Sequence, residues 1–243
     1  MDLILGTSAL AAVRNYGCQA KIRSFLQEVY SHGSTQIDTA PLYSSLDAEK
    51  LLGRTFPEDE FPDILISTKM GYRYSSAIFP LNRVYSRIAK LKNGGSPVKQ
   101  FKVSPELELK SSLNRLNRKK VHTFFLHDVD NPYLIDLFLR DLISLKQKGS
   151  MQEIGIATRS KYMHVPEEID SLQIPYHLVE HYSKRVFCKF QVHSLFADGQ
   201  ITNGCIAAKI DKLKNVPQVS SIVLGTTNIS HYTQIWEMVQ LNG

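Results

Sequence analysis

No apolar run in this chain approaches the roughly 20 residues needed to cross a bilayer. The opening stretch MDLILGTSAL carries Asp2 where an export signal would be basic. A soluble, unexported, cytoplasmic protein is expected, with no membrane partner. Cysteine is scarce: Cys18, Cys188 and Cys205 are an odd number without metal-ligand spacing. That excludes a disulfide framework and suits reduced thiols, none expected to be catalytic. No G-x-G-x-x-G occurs, so a Rossmann fingerprint is absent. Neither H-x-H nor H-E-x-x-H occurs, so a metal-dependent hydrolase using His127, His177, His181 or His193 is disfavoured and no metal is expected. His177 and His181 are read as sharing one strand face. Repeats, coiled-coil heptads and low-complexity tracts are also missing.

Charge of one sign is not concentrated anywhere. Lys and Arg number 29 against 23 Asp and Glu, a net +6 that is spread along the chain. The densest clusters are Arg115, Arg118, Lys119 and Lys120 at a predicted helix end, and Lys90, Lys92, Lys99 and Lys102 in a predicted loop. Cations in a last helical turn complement its dipole, so nucleic acid is not an expected partner.

What is present is a chain of 243 residues, 43% hydrophobic, enough for one core and close to the roughly 250 residues of a (β/α)8 barrel. A single domain over residues 1–243 is expected. Strand and helix patterns alternate, as a parallel sheet requires. LILGTS reads as a strand, 18–31 as a helix striped by Ile22, Phe25, Leu26 and Val29, and Gly33 as its stop. Strand 35–38, helix 46–55 and strand DILISTK follow. SPELELKSSLNRL has a strong helix start in Ser104, Pro105 and its acidic first turn. A strand ending at His127, a helix over 133–147 stopped by Gly149, and the strand QEIGIAT come next. A short helix near 166–172 and a strand within 175–182 complete the regular part.

Two stretches break the alternation. Residues 72–103 are long for a connection, hold Tyr72, Tyr74, Phe79, Tyr85 and Gly94-Gly95, and read as a substrate-covering loop. At 183–190 the chain passes almost directly to VFCKFQVHS, leaving little room for a crossover. The helical crossovers of the C-terminal half are therefore expected to be shortened or missing. Val186, Phe187 or Phe190 would then need cover, either from the C-terminal segment around Trp236, Met238 and Val239 or from a second copy. A monomer or homodimer follows.

Asp38 and Tyr43 in QIDTAPLY, Lys69 closing DILISTK, and His127 closing HTFFLH place proton-handling groups at the ends of three β runs. In a parallel barrel those ends share the active face. Their chemistry suits carbonyl reduction: hydride reaches the carbon, and the developing alkoxide needs an acid. Tyr43 can be that acid, and an adjacent Lys69 ammonium would lower its phenol pKa. Asp38 can hold Lys69, and His127 can polarise the carbonyl oxygen.

These motifs resemble those of the aldo-keto reductase family, whose D-T-A-x-x-Y, T-K and L-H segments carry an Asp, Tyr, Lys and His tetrad. AEKLLGRTF, SSLNRLNRKKVHTFFLH, LKQKGSMQEIGIAT and VLGTTN extend the resemblance. It implies a (β/α)8 TIM barrel and an oxidoreductase using NADP, with NAD not excluded, on a small aldehyde or ketone, possibly sugar-derived. By resemblance, Ala157-Thr158 stand where the family binds the nicotinamide carboxamide, and a sixth-strand Gln falls at Val179 or Glu180. His193, Ser194 and Leu195 take the seventh-strand nicotinamide position, and Gly225, Thr226, Thr227 and Asn228 the turn for the adenosine phosphates. His231 is the one basic residue near that turn. The departures at Ala157-Thr158 and Val179/Glu180 keep open a second reading: a reductase-like cofactor-binding or regulatory protein with little turnover.

Overall fold

The computed structural model describes residues 1–10, 19–41, 43, 47–71, 104–128, 132–199 and 201–240. Parallel strands close into a barrel in chain order: β1 (Asp2–Gly6), β2 (Gln36–Asp38), β3 (Leu65–Met70), β4 (Val121–His127), β5 (Met151–Ala157), β6 (Ser171–Pro175), β7 (Lys189–His193) and β8 (Val219–Gly225). β8 returns to β1, with Asp2 opposite Ser221 and Gly6 opposite Gly225, so the barrel has no free sheet edge. The described helices are α1 (Gln19–Ser31), α2 (Asp47–Thr55), α3 (Pro105–Leu116), α4 (Pro132–Gln147), α5 (Val179–Ser183), α6 (Asn203–Lys214) and α7 (Ile229–Gln240). This is the (β/α)8 architecture that the alternation predicts.

Local chemistry explains most element ends. Ser104 caps α3 by accepting the Leu107 N–H at 3.3 Å, Pro105 opens the helix, and Asn117 ends it in the left-handed region. Gly33 (φ 92°) and Gly149 (φ 76°) supply the left-handed stops their spacing suggests. Inside the barrel, Phe125 on β4 lies beside Gly155 on β5; a Cβ on Gly155 would stand 2.3 Å from the phenyl ring. The glycine is what lets Phe125 fill that layer.

Two members of the first basic cluster, Arg115 and Arg118, have structural roles, while Lys119 and Lys120 are exposed. Arg118 donates to the carbonyls of Ile64, Phe56 and Phe61 at 2.8, 2.9 and 3.1 Å, closing the loop between α2 and β3. Arg115 pairs with Glu49 of α2 at 2.5 Å. Residues 72–103, with the expected covering loop and Lys90, Lys92, Lys99 and Lys102, lie outside the described residues, as does Cys18. No helix among the described residues is long and apolar enough to cross a membrane.

The C-terminal half departs from expectation in three places. The sixth strand is Ser171–Pro175, not within 175–182, and residues 158–170 form no helix. Asp170 fixes that connection by accepting the Ile154 N–H at 2.8 Å and the Lys146 ammonium at 2.6 Å. The following crossover is shortened but not missing: Tyr176–Leu178 make a 3-10 turn that runs into the five-residue α5. Leu178, Val179 and Tyr182 recur at helical spacing and are all buried, so the segment read as strand is the crossover itself. Finally, α7 packs chiefly against α1, α6 and β1, with Trp236 beside Gly33, rather than against β6 and β7. Phe190 is fully buried inside the barrel wall and Val186 is partly buried, whereas Phe187 is 95% exposed.

Candidate active site

Asp38 ends β2, Lys69 lies near the end of β3, His127 ends β4, and Tyr43 sits in the turn after β2. Parallel pairing brings these ends together: Asp38 registers with Ser67 and Lys69 with Phe125. Lys69 is 1% exposed and donates to the Asp38 carboxylate and, at 3.1 Å, to the Thr39 carbonyl. Its ammonium lies 5.6 Å from the Tyr43 ring centre and 5.3 Å from that of Phe125. The Tyr43 and His127 rings meet edge to face with centres 6.2 Å apart. All four side chains of the expected tetrad therefore converge at one end of the barrel.

Supporting contacts hold this arrangement. Thr7 donates to the Thr39 hydroxyl at 2.8 Å, fixing the backbone whose carbonyl receives Lys69. Glu49, fully buried, accepts from Thr68 at 2.7 Å as well as from Arg115, tying α2 and α3 to the residue preceding Lys69. On the other side, Gln173 of β6 donates to Asp38 at 2.9 Å and reaches the Gln191 amide oxygen at 3.4 Å.

Gln173 is the residue the sequence pattern missed. Glu180, expected on the sixth strand, is on α5, where it pairs outside the barrel with Lys184 and Lys212 at 3.9 and 3.8 Å. The error follows from misplacing β6. The available signal was Pro175: proline biases the preceding residue to extended backbone, which fits QIP as a strand end.

A cavity of about 830 Å3 opens over the tetrad. Asp38, Tyr43 and His127 line it together with Thr158, Gln173, His193, Ser194, Leu195 and Gly225; Lys69 lies beneath. Thr226, Thr227 and Asn228 continue the chain just beyond this wall. Thr226 accepts the Asn228 N–H at 3.1 Å, and the Asn228 amide oxygen accepts N–H groups of Ser230 and His231 at 2.9 and 3.4 Å, capping α7. The loop after β7 is fixed from outside by Lys209, which donates to the Leu195 carbonyl at 3.0 Å and to Asp198 at 2.7 Å. Asp128 and Ser194, the residues following His127 and His193, adopt φ of 51° and 57°. Such left-handed backbone outside glycine costs energy and recurs at functional sites.

Electrostatics separate the roles. Burial, followed by the Asp38 carboxylate, raises the Tyr43 phenol well above its ordinary 10, with Arg159 opposing. The net lowering expected beside Lys69 is not seen, because burial and the Asp38 carboxylate dominate. Burial lowers the Lys69 ammonium, while Asp38 and Glu49 act in the other direction. His127 is pushed down to about 3 by burial, then by Lys69, Arg159 and His193. His193 falls to about 4 through burial and Arg159. At neutral pH the cavity thus presents a protonated phenol and two neutral imidazoles.

Among the described residues no cluster of three or more His, Cys, Asp or Glu could hold a metal ion. His177 lies on the 3-10 turn and His181 on α5, not on one strand face, and His181 bonds the Lys161 carbonyl at 2.7 Å.

A parallel barrel whose strand ends gather Tyr, Lys, Asp and His around a deep cavity defines a barrel protein with an enzyme-like proton-handling site. The chain belongs to the aldo/keto reductase family, whose model matches residues 2–194. It is similar in structure to an aldo-keto reductase from Bacillus halodurans in its holo form (18% identity, TM-score 0.73, 98% of this chain and 86% of that one). A protein from Pseudomonas aeruginosa described as an aldo-keto reductase is also similar (18%, 0.74, 98% and 88%). So is a glycerol dehydrogenase from Gluconobacter oxydans (15%, 0.70, 97% and 85%). Membership implies an oxidoreductase, in a family whose members use NAD(P)H.

Proposed function

We propose that this protein reduces a small aldehyde or ketone with NAD(P)H, with Tyr43 as the proton donor. The observation that carries the reading is the convergence of Asp38, Tyr43, Lys69 and His127 under one cavity. The cavity suits the nicotinamide end of the cofactor: it is open from the tetrad to Gly225, and Thr158, Gln173 and His193 offer side-chain hydrogen bonds along it. Thr158, Gln173 and His193–Leu195 would hold that end, and Gly225–Asn228 the phosphates. When bound, the cofactor supplies the hydride that reduces the carbonyl carbon.

The chain's own residues handle the proton. Tyr43, protonated at neutral pH, donates its hydroxyl proton to the carbonyl oxygen; an alkoxide is a stronger base than a phenolate, so transfer is downhill as charge develops. Lys69 faces the phenolate left behind and stabilises it, while Asp38 and Gln173 fix Lys69 and its counter-charge. Neutral His127 orients the carbonyl by hydrogen bonding. Burial of the cavity strengthens each of these interactions relative to water.

NADP is favoured over NAD on family grounds, but no Lys or Arg lies in the turn 225–231, where His231 is the one basic side chain. Selectivity below about 100-fold, or 2.7 kcal/mol, is therefore expected from parallel dissociation constants. Titrating purified protein with NADPH and NADH by fluorescence, then following single-turnover oxidation against neutral and sugar-derived carbonyls, tests the function. Binding with turnover supports it. Binding without turnover on any carbonyl favours the reductase-like binding protein instead.

A further inference from the structure

The cavity wall carries a cation that the proton chemistry leaves unused. Arg159 follows Thr158 at the end of β5, and its side chain lines the same cavity as Tyr43, His127 and His193. Ala157, two residues before it, registers with His127, which puts Arg159 beside the reacting end, and its charge acts on all three of those groups. The Asp38 carboxylate in the same cavity is engaged elsewhere, by Lys69 and Gln173.

The backbone around Arg159 is fixed on both sides. The Thr158 hydroxyl accepts the Ser160 N–H at 3.0 Å, the buried Tyr182 hydroxyl donates to the Ser160 carbonyl at 2.5 Å, and His181 bonds the Lys161 carbonyl at 2.7 Å. Tyr182 and His181 both belong to the short crossover helix α5, which thus props the loop that presents the guanidinium. A planar fork of donors on a tethered loop is preorganised for a carboxylate or phosphate, which it can bind through two parallel hydrogen bonds.

We propose that Arg159 binds an anionic group, carboxylate or phosphate, carried by the carbonyl substrate, so that the protein selects acidic aldehydes or ketones over neutral ones of similar size. This rests on the cavity being the carbonyl-reducing site. The position favours substrate over cofactor phosphate: Arg159 follows β5, next to the β4 end that carries His127, whereas the turn Gly225–Asn228 lies at the end of β8.

The test compares wild type with Arg159→Gln. In turnover, the ratio of kcat/KM for 4-oxobutanoate to that for butanal should exceed about tenfold in the wild type and fall at least tenfold in the variant. Independently of turnover, calorimetric titration with butanoate and butanamide should show tighter binding of the anion, lost in Arg159→Gln while circular dichroism stays unchanged. D-glyceraldehyde 3-phosphate against D-glyceraldehyde distinguishes phosphate from carboxylate. An unchanged ratio, or a tenfold rise in the NADPH dissociation constant with the ratio unaltered, would overturn the assignment. If no carbonyl is turned over the proposed function fails, and butanoate against butanamide still decides the role of Arg159.

Discussion

Asp38, Tyr43, Lys69 and His127 can be read from sequence because each stands beside apolar strand residues in a recurring local context. Their electrostatics cannot, because those depend on burial and contact distance. The depressed His127 and His193 make a direct prediction for pH dependence. Neither imidazole titrates near 6.5, so the rate of carbonyl reduction should stay level from about pH 7 down to pH 5, if the fold is intact. An acid limb with an apparent pKa near 6.5 would mean that His127 works as an imidazolium. Lys69→Met should lower kcat by about 100-fold or more, by stranding Asp38 and leaving the phenolate unstabilised; steady-state kinetics check this. Gly155→Ala addresses packing instead. Its new methyl would strike Phe125, and a loss of about 1–3 kcal/mol is expected from urea denaturation.

At the scale of elements, α5 carries the clearest consequence. Tyr182→Phe removes one hydrogen bond to the Ser160 carbonyl and leaves the ring packed, so stability should drop by about 1 kcal/mol in thermal or urea unfolding. Strands β1 to β5 and helices α1 to α4 were legible in the sequence within a residue or two, since Gly33, Gly149, Ser104 and Pro105 punctuate them. β6 was not. Its core, SLQIP, is five residues with a buried glutamine, while the following YHLVEHY is richer in large apolar groups and mimics a strand. That exchange displaced the expected glutamine to Glu180, hid Gln173, and made α5 look absent. Burial of Gln173 is explained only by Asp38 and Gln191, which are far away in sequence.

For the whole molecule, closure of β8 onto β1 and packing of α7 on α1 make the barrel depend on its last elements. The depressed histidines add a pH dependence to its stability. In the unfolded chain both take up protons below about 6.5, whereas the folded protein resists protonation of His193 to about 4 and of His127 to about 3. Stability should therefore be highest above pH 6.5 and decline as pH falls through that window, with a shallower decline in His193→Asn, measured as Tm against pH. The central claim is that the converged tetrad reduces carbonyls through the Tyr43 proton. Single-turnover oxidation of bound NADPH by a carbonyl substrate, in wild type and Tyr43→Phe at matched cofactor occupancy, tests it most directly. Loss of at least about 100-fold in rate with the NADPH dissociation constant within twofold is the predicted result. Undiminished oxidation in Tyr43→Phe would contradict it.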